Sequence, residues 1–318
     1  MEKLDSEISA FLSTLHGAGL PSDIGVRAAR DDMRERAGRI QSEFGAPVVR
    51  QVRDLPVPGS KGQLAARMYI PQVRRSRSIM LFFHSGGHVI GDLDTGDPVA
   101  RSLCKGVGCD VLSVSYGLAP ENKFPADIAD AVAVTIAADR DLVASGKYES
   151  LLVAGDSAGA TIAAAVANQT IGLMSQPIAL QVLLYGAFDV TKRFASELHA
   201  TDDPFLNLTQ LAWFESQYLE HDSDHFDPRA SPALYPNLEG LPPAVIATVE
   251  MDPLRDQGVR YADLLAAASV GVSDLRFTGL PHGFMEFETV SERAASAIGV
   301  VCAAIAESLS RGSDSVVD

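Results

Sequence analysis

The 318-residue sequence predicts an α/β fold, with an eight-stranded, mostly parallel sheet, helices on both faces and a helical cap. Three observations point there. From about residue 78 onward, short apolar runs alternate with longer helical patterns, the rhythm that parallel strands and their crossovers impose. Several of these runs are apolar throughout, as strands covered on both faces must be. One of them, 151–154, enters the small-residue turn Gly155-Asp156-Ser157-Ala158-Gly159, and an alanine-rich helix leaves it.

The elements follow in order. Residues 1–45 read as helices. Leu4, Ile8, Phe11, Leu12 and Leu15 recur at helical spacing, and a second, polar helix follows Pro21-Ser22-Asp23. From Pro47 the period changes. Strands at 48–57 and 63–70 flank Pro58-Gly59-Ser60-Lys61-Gly62, a hairpin signal. A buried strand at 78–83 precedes a helix near 98–104, and a strand at 110–116 precedes a long helix at 126–144. The central strand 151–154 is followed by strands at 178–184, 243–249 and 274–278, with helices near 254–268 and 290–309. One interval breaks the rhythm. Residues 188–235 hold Phe194, Phe205, Trp213, Phe214 and Tyr218 without a strand pattern, and read as an inserted helical lid. The core is then 46–187 with 236–311, and 312–318 reads as a disordered tail.

Composition narrows the partners. A formal net charge of −15 argues against nucleic acid and anionic membranes, and no basic stripe offsets it locally. Three cysteines, Cys104, Cys109 and Cys302, sit in apolar settings and read as reduced, buried thiols. The acidic start Met1-Glu2-Lys3-Leu4-Asp5 lacks the basic region of a signal peptide, and apolar stretches such as 297–306 fall short of a membrane span. A cytoplasmic location without membrane association is expected.

The turn at 155–159 reads G-x-S-x-G. A strand that reverses this sharply into a helix tolerates only small residues and thrusts the serine Oγ out beside the helix N-terminus. A serine hydroxyl is a poor nucleophile until a neutral imidazole takes its proton, and a carboxylate must fix that imidazole's tautomer. Of the histidines downstream, only His282, in Leu280-Pro281-His282-Gly283-Phe284, follows a late strand and lies in a glycine turn. For the acid, Asp252 follows the 243–249 strand, although a carboxylate there also suits a helix N-cap; Asp256 and Glu250 are the other candidates. Next to the 78–83 strand, His84-Ser85-Gly86-Gly87-His88 offers backbone N–H groups for an oxyanion. Gly86 and Gly87, with Ala158, make a three-donor hole, and His84 orders the loop. Phe205, Trp213, Phe214, Phe284 and Met285 are candidate pocket walls. His221 and His225 have metal-ligand spacing in a short polar stretch, but no metal and no cofactor is expected.

Together these pieces resemble the hormone-sensitive-lipase-like esterases of the α/β-hydrolase fold, which carry HGGG and GDSAG motifs. Val114-Ser115-Tyr116-Gly117-Leu118-Ala119-Pro120-Glu121 resembles the block between them. Asp252-Pro253-Leu254-Arg255-Asp256 and His282-Gly283-Phe284 resemble the acid and base segments. The resemblance implies Ser157 as nucleophile, His282 as base, Asp252 as orienter, and a cap of the N-terminal helices plus 188–235. It also implies a cofactor-free serine carboxylesterase acting on short acyl esters as small-molecule substrates, and a homodimer through the last strand. Ser85 replaces the first glycine of HGGG. His88 replaces the usual aromatic pocket residue, which gives a polar wall and suggests a polar substrate. Ser115 and Gly117 stand where an acid and an arginine are usual. An amidase or arylformamidase on the same machinery, or a non-catalytic small-molecule receptor, are the alternatives. Activity should fall as pH drops through the ordinary histidine range, about 6 to 7.

Overall fold

The computed structural model describes residues 3–15, 21–199, 203 and 205–314. Its strands are β1 (Gln51–Pro58), β2 (Gln63–Ile70), β3 (Ser78–Phe83), β4 (Asp110–Val114), β5 (Ser150–Asp156), β6 (Leu180–Leu184), β7 (Ala244–Val249) and β8 (Val272–Phe277). They form one eight-stranded sheet in the order β1-β2-β4-β3-β5-β6-β7-β8. The β1–β2 and β2–β4 pairs are antiparallel and every other pair is parallel.

Strand periodicity builds the two layers. On β3, Ile79, Leu81 and Phe83 face one layer, and Met80 and Phe82 face the other; on β5, Leu151 and Val153 oppose Leu152 and Ala154. All of these side chains are buried. Burial of each large apolar side chain stabilises the fold by about 2 kcal/mol.

The helices are α1 (Ser6–Ser13), α2 (Pro21–Phe44), α3 (Asp97–Leu103), α4 (Ala126–Ala138), α5 (Ala158–Gln169), α6 (Ala195–His199), α7 (Leu208–Tyr218), α8 (Arg255–Ala267) and α9 (Glu292–Asp314). Asp5 caps α1 by accepting the Glu7 and Ile8 N–H groups at 3.1 Å each. Its buried Ile8 and Phe11 join the layer that also holds α3 and α9. α2 is interrupted at Gly25 (φ 78, ψ 168) and packs on α7 over the carboxyl ends of the strands. No strand forms between 188 and 235 among the described residues.

Three expectations change. The helix after Ala126 ends at Ala138 and continues to Val143 as a wider turn. α9 continues to Asp314, so 312–314 are helical, and the rest of that tail, 315–318, lies outside the described residues. Within α9, residues Glu292–Arg311 are long and apolar enough to cross a membrane, contrary to the reading of 297–306. One face of that helix, with Ala294, Ala297, Ile298, Val301, Cys302 and Ile305, is buried in the second core layer, as in an amphipathic core helix. The three thiols are free and buried, and burial pushes Cys104 and Cys302 up to about 12.

Candidate active site

Ser157 occupies the break between β5 and α5 at φ 54, ψ −120, a region nearly closed to non-glycine residues. A Cβ on Gly155 would lie 2.0 Å from the Gly159 carbonyl oxygen, and one on Gly159 would lie 1.9 Å from that of Phe83. Both positions therefore require glycine, and the strand–helix junction can close that tightly only with them. The Ser157 N–H donates to the Leu184 carbonyl at 2.8 Å, which holds the turn against β6.

Two neighbouring loops supply the partners. Asp252 follows β7 and His282 follows β8. His282 Nε2 lies 2.9 Å from Ser157 Oγ, and Nδ1 lies 2.8 Å from Asp252 Oδ2. An ionised carboxylate only accepts, so Nδ1 carries the proton and Nε2 offers its lone pair to the serine hydroxyl. Burial pulls the His282 pKa down, but Asp252, with Asp203 and Asp156 behind it, outweighs burial and the net shift is upward from 6.5. The other Asp252 oxygen accepts the Leu254 N–H at 2.7 Å, while Leu254 itself occupies the cap position of α8. Asp256 turns elsewhere, accepting the Ser196 N–H at 2.9 Å and pairing with Arg255.

The loop after β3 stands beside this row. Gly86 and Gly87 have φ 125 and 58. Among the described residues, the N–H groups of Gly86, Gly87 and Ala158 donate no backbone hydrogen bond. His84 orders the loop through Nδ1, 2.7 Å from the Ser85 carbonyl oxygen, and stacks on Tyr116 at 4.4 Å. The Tyr116 hydroxyl donates to the His84 carbonyl at 2.7 Å. Ser115 and Gly117 are tied locally: Ser115 Oγ donates to the Ala65 carbonyl at 2.8 Å, and the Gly117 N–H to Asp130 at 3.1 Å.

These groups open into a cavity of about 900 Å³, roofed by Met33 and Arg36 of α2 and by Leu211 and Phe214 of α7. Of the wall residues named from the sequence, His88, Phe205 and Phe214 line it; Trp213, Phe284 and Met285 do not. Trp213 is the helical neighbour of Phe214, about 100° further round α7, and contacts it edge-on at 5.0 Å. Phe284 and Met285 lie in a single helical turn that directs them into the second core layer, where Phe284 meets Tyr185 and Phe277 at 5.5 Å. Among the described residues no cluster of three or more His, Cys, Asp or Glu is placed to hold a metal, and His225 Nδ1 lies 3.1 Å from the Asp222 carbonyl oxygen.

Sequence reading missed the roles of five residues here. Asp203 is buried and accepts the His282 backbone N–H at 2.7 Å, with its other oxygen on the Phe205 and Leu206 N–H groups. Burial pushes its pKa up to about 6. Tyr185 sits edge-on to the His282 ring at 5.1 Å and donates to Asp156 at 3.3 Å. Asp156 is fully buried, and burial with the Glu286 carboxylate pushes its pKa up to about 7. Asp127 and Tyr218 bracket His88. The only signal for Asp203 was an acid before a proline in a segment with no strand pattern, and its partner is a backbone group 79 positions away.

A strained serine at a strand–helix elbow, a histidine and carboxylate from the following loops, and unpaired N–H groups beside them define a serine-hydrolase type of centre. Residues 80–286 match the alpha/beta hydrolase fold family, and the chain belongs to it, in the hormone-sensitive-lipase-like branch. It is 36% identical to the carboxylic ester hydrolase LipN of Mycobacterium tuberculosis over 97% of this chain and 84% of that protein. It is also 36% identical to the esterase LipI of the same organism, over 87% of each chain. The solved structure of a hyperthermophilic esterase from the archaeon Pyrobaculum calidifontis superposes with a TM-score of 0.87 at 32% identity, covering 96% of this chain and 99% of that one.

Proposed function

We propose that this protein is a serine carboxylesterase that hydrolyses short-chain acyl esters through an acyl-enzyme on Ser157. As His282 takes the serine proton, Oγ attacks the ester carbonyl. The oxyanion forms against the Gly86, Gly87 and Ala158 N–H groups, each worth about 3 kcal/mol of transition-state stabilisation. His282 then gives its proton to the departing alcohol, and Asp252 stabilises the imidazolium meanwhile. In the second half, His282 deprotonates water, which releases the acid and regenerates Ser157.

The observation that carries this reading is the unbroken hydrogen-bonded row Ser157–His282–Asp252, at 2.9 and 2.8 Å, opening into the cavity. The esterase names of its relatives support the choice of ester over amide. The row's intact base weighs against a non-catalytic receptor. A panel of p-nitrophenyl esters of increasing acyl length, read with and without an organophosphate, tests it. Fastest turnover at short chains, abolished by the reagent, is the expected result. Turnover untouched by the reagent, or faster hydrolysis of matched amides, contradicts it.

The buried free thiols support a reducing, cytoplasmic compartment. Among the described residues β8 has a strand partner on one side only, which supports pairing with a second copy; light scattering reads the mass.

A further inference from the structure

The cavity holds a second imidazole–carboxylate pair. His88 follows Gly87 in the loop after β3, at φ 64, a conformation that a histidine keeps only when its surroundings fix it. Two contacts fix it. Its ring stacks on Tyr218 with centroids 3.9 Å apart and planes 5° from parallel. Its Nδ1 lies 2.7 Å from Asp127 Oδ2.

Asp127 on α4 is fully buried and accepts the Tyr218 hydroxyl at 2.9 Å on both oxygens. A carboxylate that receives two donors acts as an acceptor, so Nδ1 carries a proton, and in the neutral imidazole Nε2 bears the lone pair. Among the described residues Nε2 has no hydrogen-bond partner, although His88 is only 8% exposed and lines the same cavity as Ser157. Nε2 is not among the sealed, partnerless polar atoms of the core, so it faces the cavity, where a ligand's donor can take the place of water. Gln210, equally buried, lines the cavity too, and its side-chain amide also lacks a partner among the described residues. Because the Gly87 and His88 Cα atoms are about 3.8 Å apart, an ester oxygen held at the Gly87 N–H lies within a few bonds of the imidazole.

We propose, on the basis that Ser157 hydrolyses esters, that His88 determines specificity: its Nε2 accepts a hydrogen bond from a substrate hydroxyl close to the ester group. The preferred substrates are then hydroxy-acyl esters or half-esters of diols, rather than purely aliphatic esters.

Two matched pairs test it, each setting a hydroxyl against a methyl of similar size. On the acyl side, p-nitrophenyl 3-hydroxybutyrate is compared with p-nitrophenyl 3-methylbutyrate. On the alcohol side, 2-hydroxyethyl butyrate is compared with propyl butyrate. The wild-type protein should favour the hydroxyl member of one pair at least about tenfold in kcat/KM, because a site built to bond a hydroxyl discriminates against its absence. His88→Phe and His88→Asn should bring that ratio towards one, chiefly through KM; asparagine tolerates positive φ and so controls for misfolding of the phenylalanine variant. The selectivity ratio is a readout that mere loss of enzyme would not move. Equal rates within both pairs, or a preference that survives both substitutions, overturns the proposal. Absence of Ser157-dependent turnover on all four esters defeats the esterase reading itself, and this proposal with it.

Discussion

The two histidine–aspartate pairs in the cavity match closely and face different neighbours. Nδ1 lies 2.8 Å from the carboxylate in His282–Asp252 and 2.7 Å in His88–Asp127, and in each pair the imidazole is one-tenth exposed and the carboxylate buried. Only His282 turns its other nitrogen to a hydroxyl that can attack, Ser157 Oγ. Asp252 takes its further hydrogen bond from the backbone at Leu254, whereas Asp127 takes it from the Tyr218 hydroxyl. Tyr185 meets the His282 ring edge-on, while Tyr218 covers the His88 ring face to face. A carboxylate partner and burial alone therefore do not make a general base. What distinguishes His282 is the strained serine that β5 presents to it, and what distinguishes His88 is a ring clamped flat beside the substrate path.

Mutations can break this contrast, and the largest effects fall on the pair that meets the serine. Ser157→Ala or His282→Ala should each lower kcat on p-nitrophenyl butyrate by about 10⁶-fold, with thermal unfolding showing that the fold persists. Asp252→Asn should cost about 10⁴-fold in kcat, because the imidazole loses its fixed tautomer. Gly87→Ala comes next. At φ 58, a Cβ there would lie 2.3 Å from the Phe214 ring, and both the strained backbone and the clash work to displace the loop and its oxyanion donor. Single-turnover kinetics should show about 10²-fold slower acylation.

The smallest effect is a shift in pH dependence. The His282 pKa lies above 6.5, so kcat/KM should fall on acidification with its limb above that value, higher than an ordinary histidine predicts. The negative charge of Asp203 favours the His282 cation. Asp203→Asn removes that charge, so the limb should move to lower pH and activity should persist further into acid. Its one oxygen can serve the His282 N–H or the Phe205 and Leu206 N–H groups but not both, and thermal unfolding reads that structural cost separately. A limb unmoved from wild type would show that Asp203 merely packs the loop.

How much of this was legible in the sequence depended on the range of the interaction. β3 and β5 were readable because an apolar run buried on both faces is a local pattern. Ser157, Asp252 and His282 were readable as positions because each lies in a loop just after an apolar strand, and parallel topology gathers such loops at one end of the sheet. The links between distant segments were not readable. Asp127 and Tyr218 are 91 positions apart, and nothing local in α4 or α7 marks the pair. Which of Trp213 and Phe214 faces the cavity depends on how α7 is rotated against α2, and composition does not encode that. Phe284 and Met285 resembled pocket walls because they adjoin His282, yet the turn after Gly283 sends them into the core.

Labelling with a fluorophosphonate probe, followed by peptide mass mapping, tests the central claim most directly. Rapid phosphonylation of the peptide containing Ser157 is expected in the wild-type protein, slowed by orders of magnitude in His282→Ala and unaffected in site by His88→Asn. Labelling at another residue, or none at Ser157 in active protein, would contradict it.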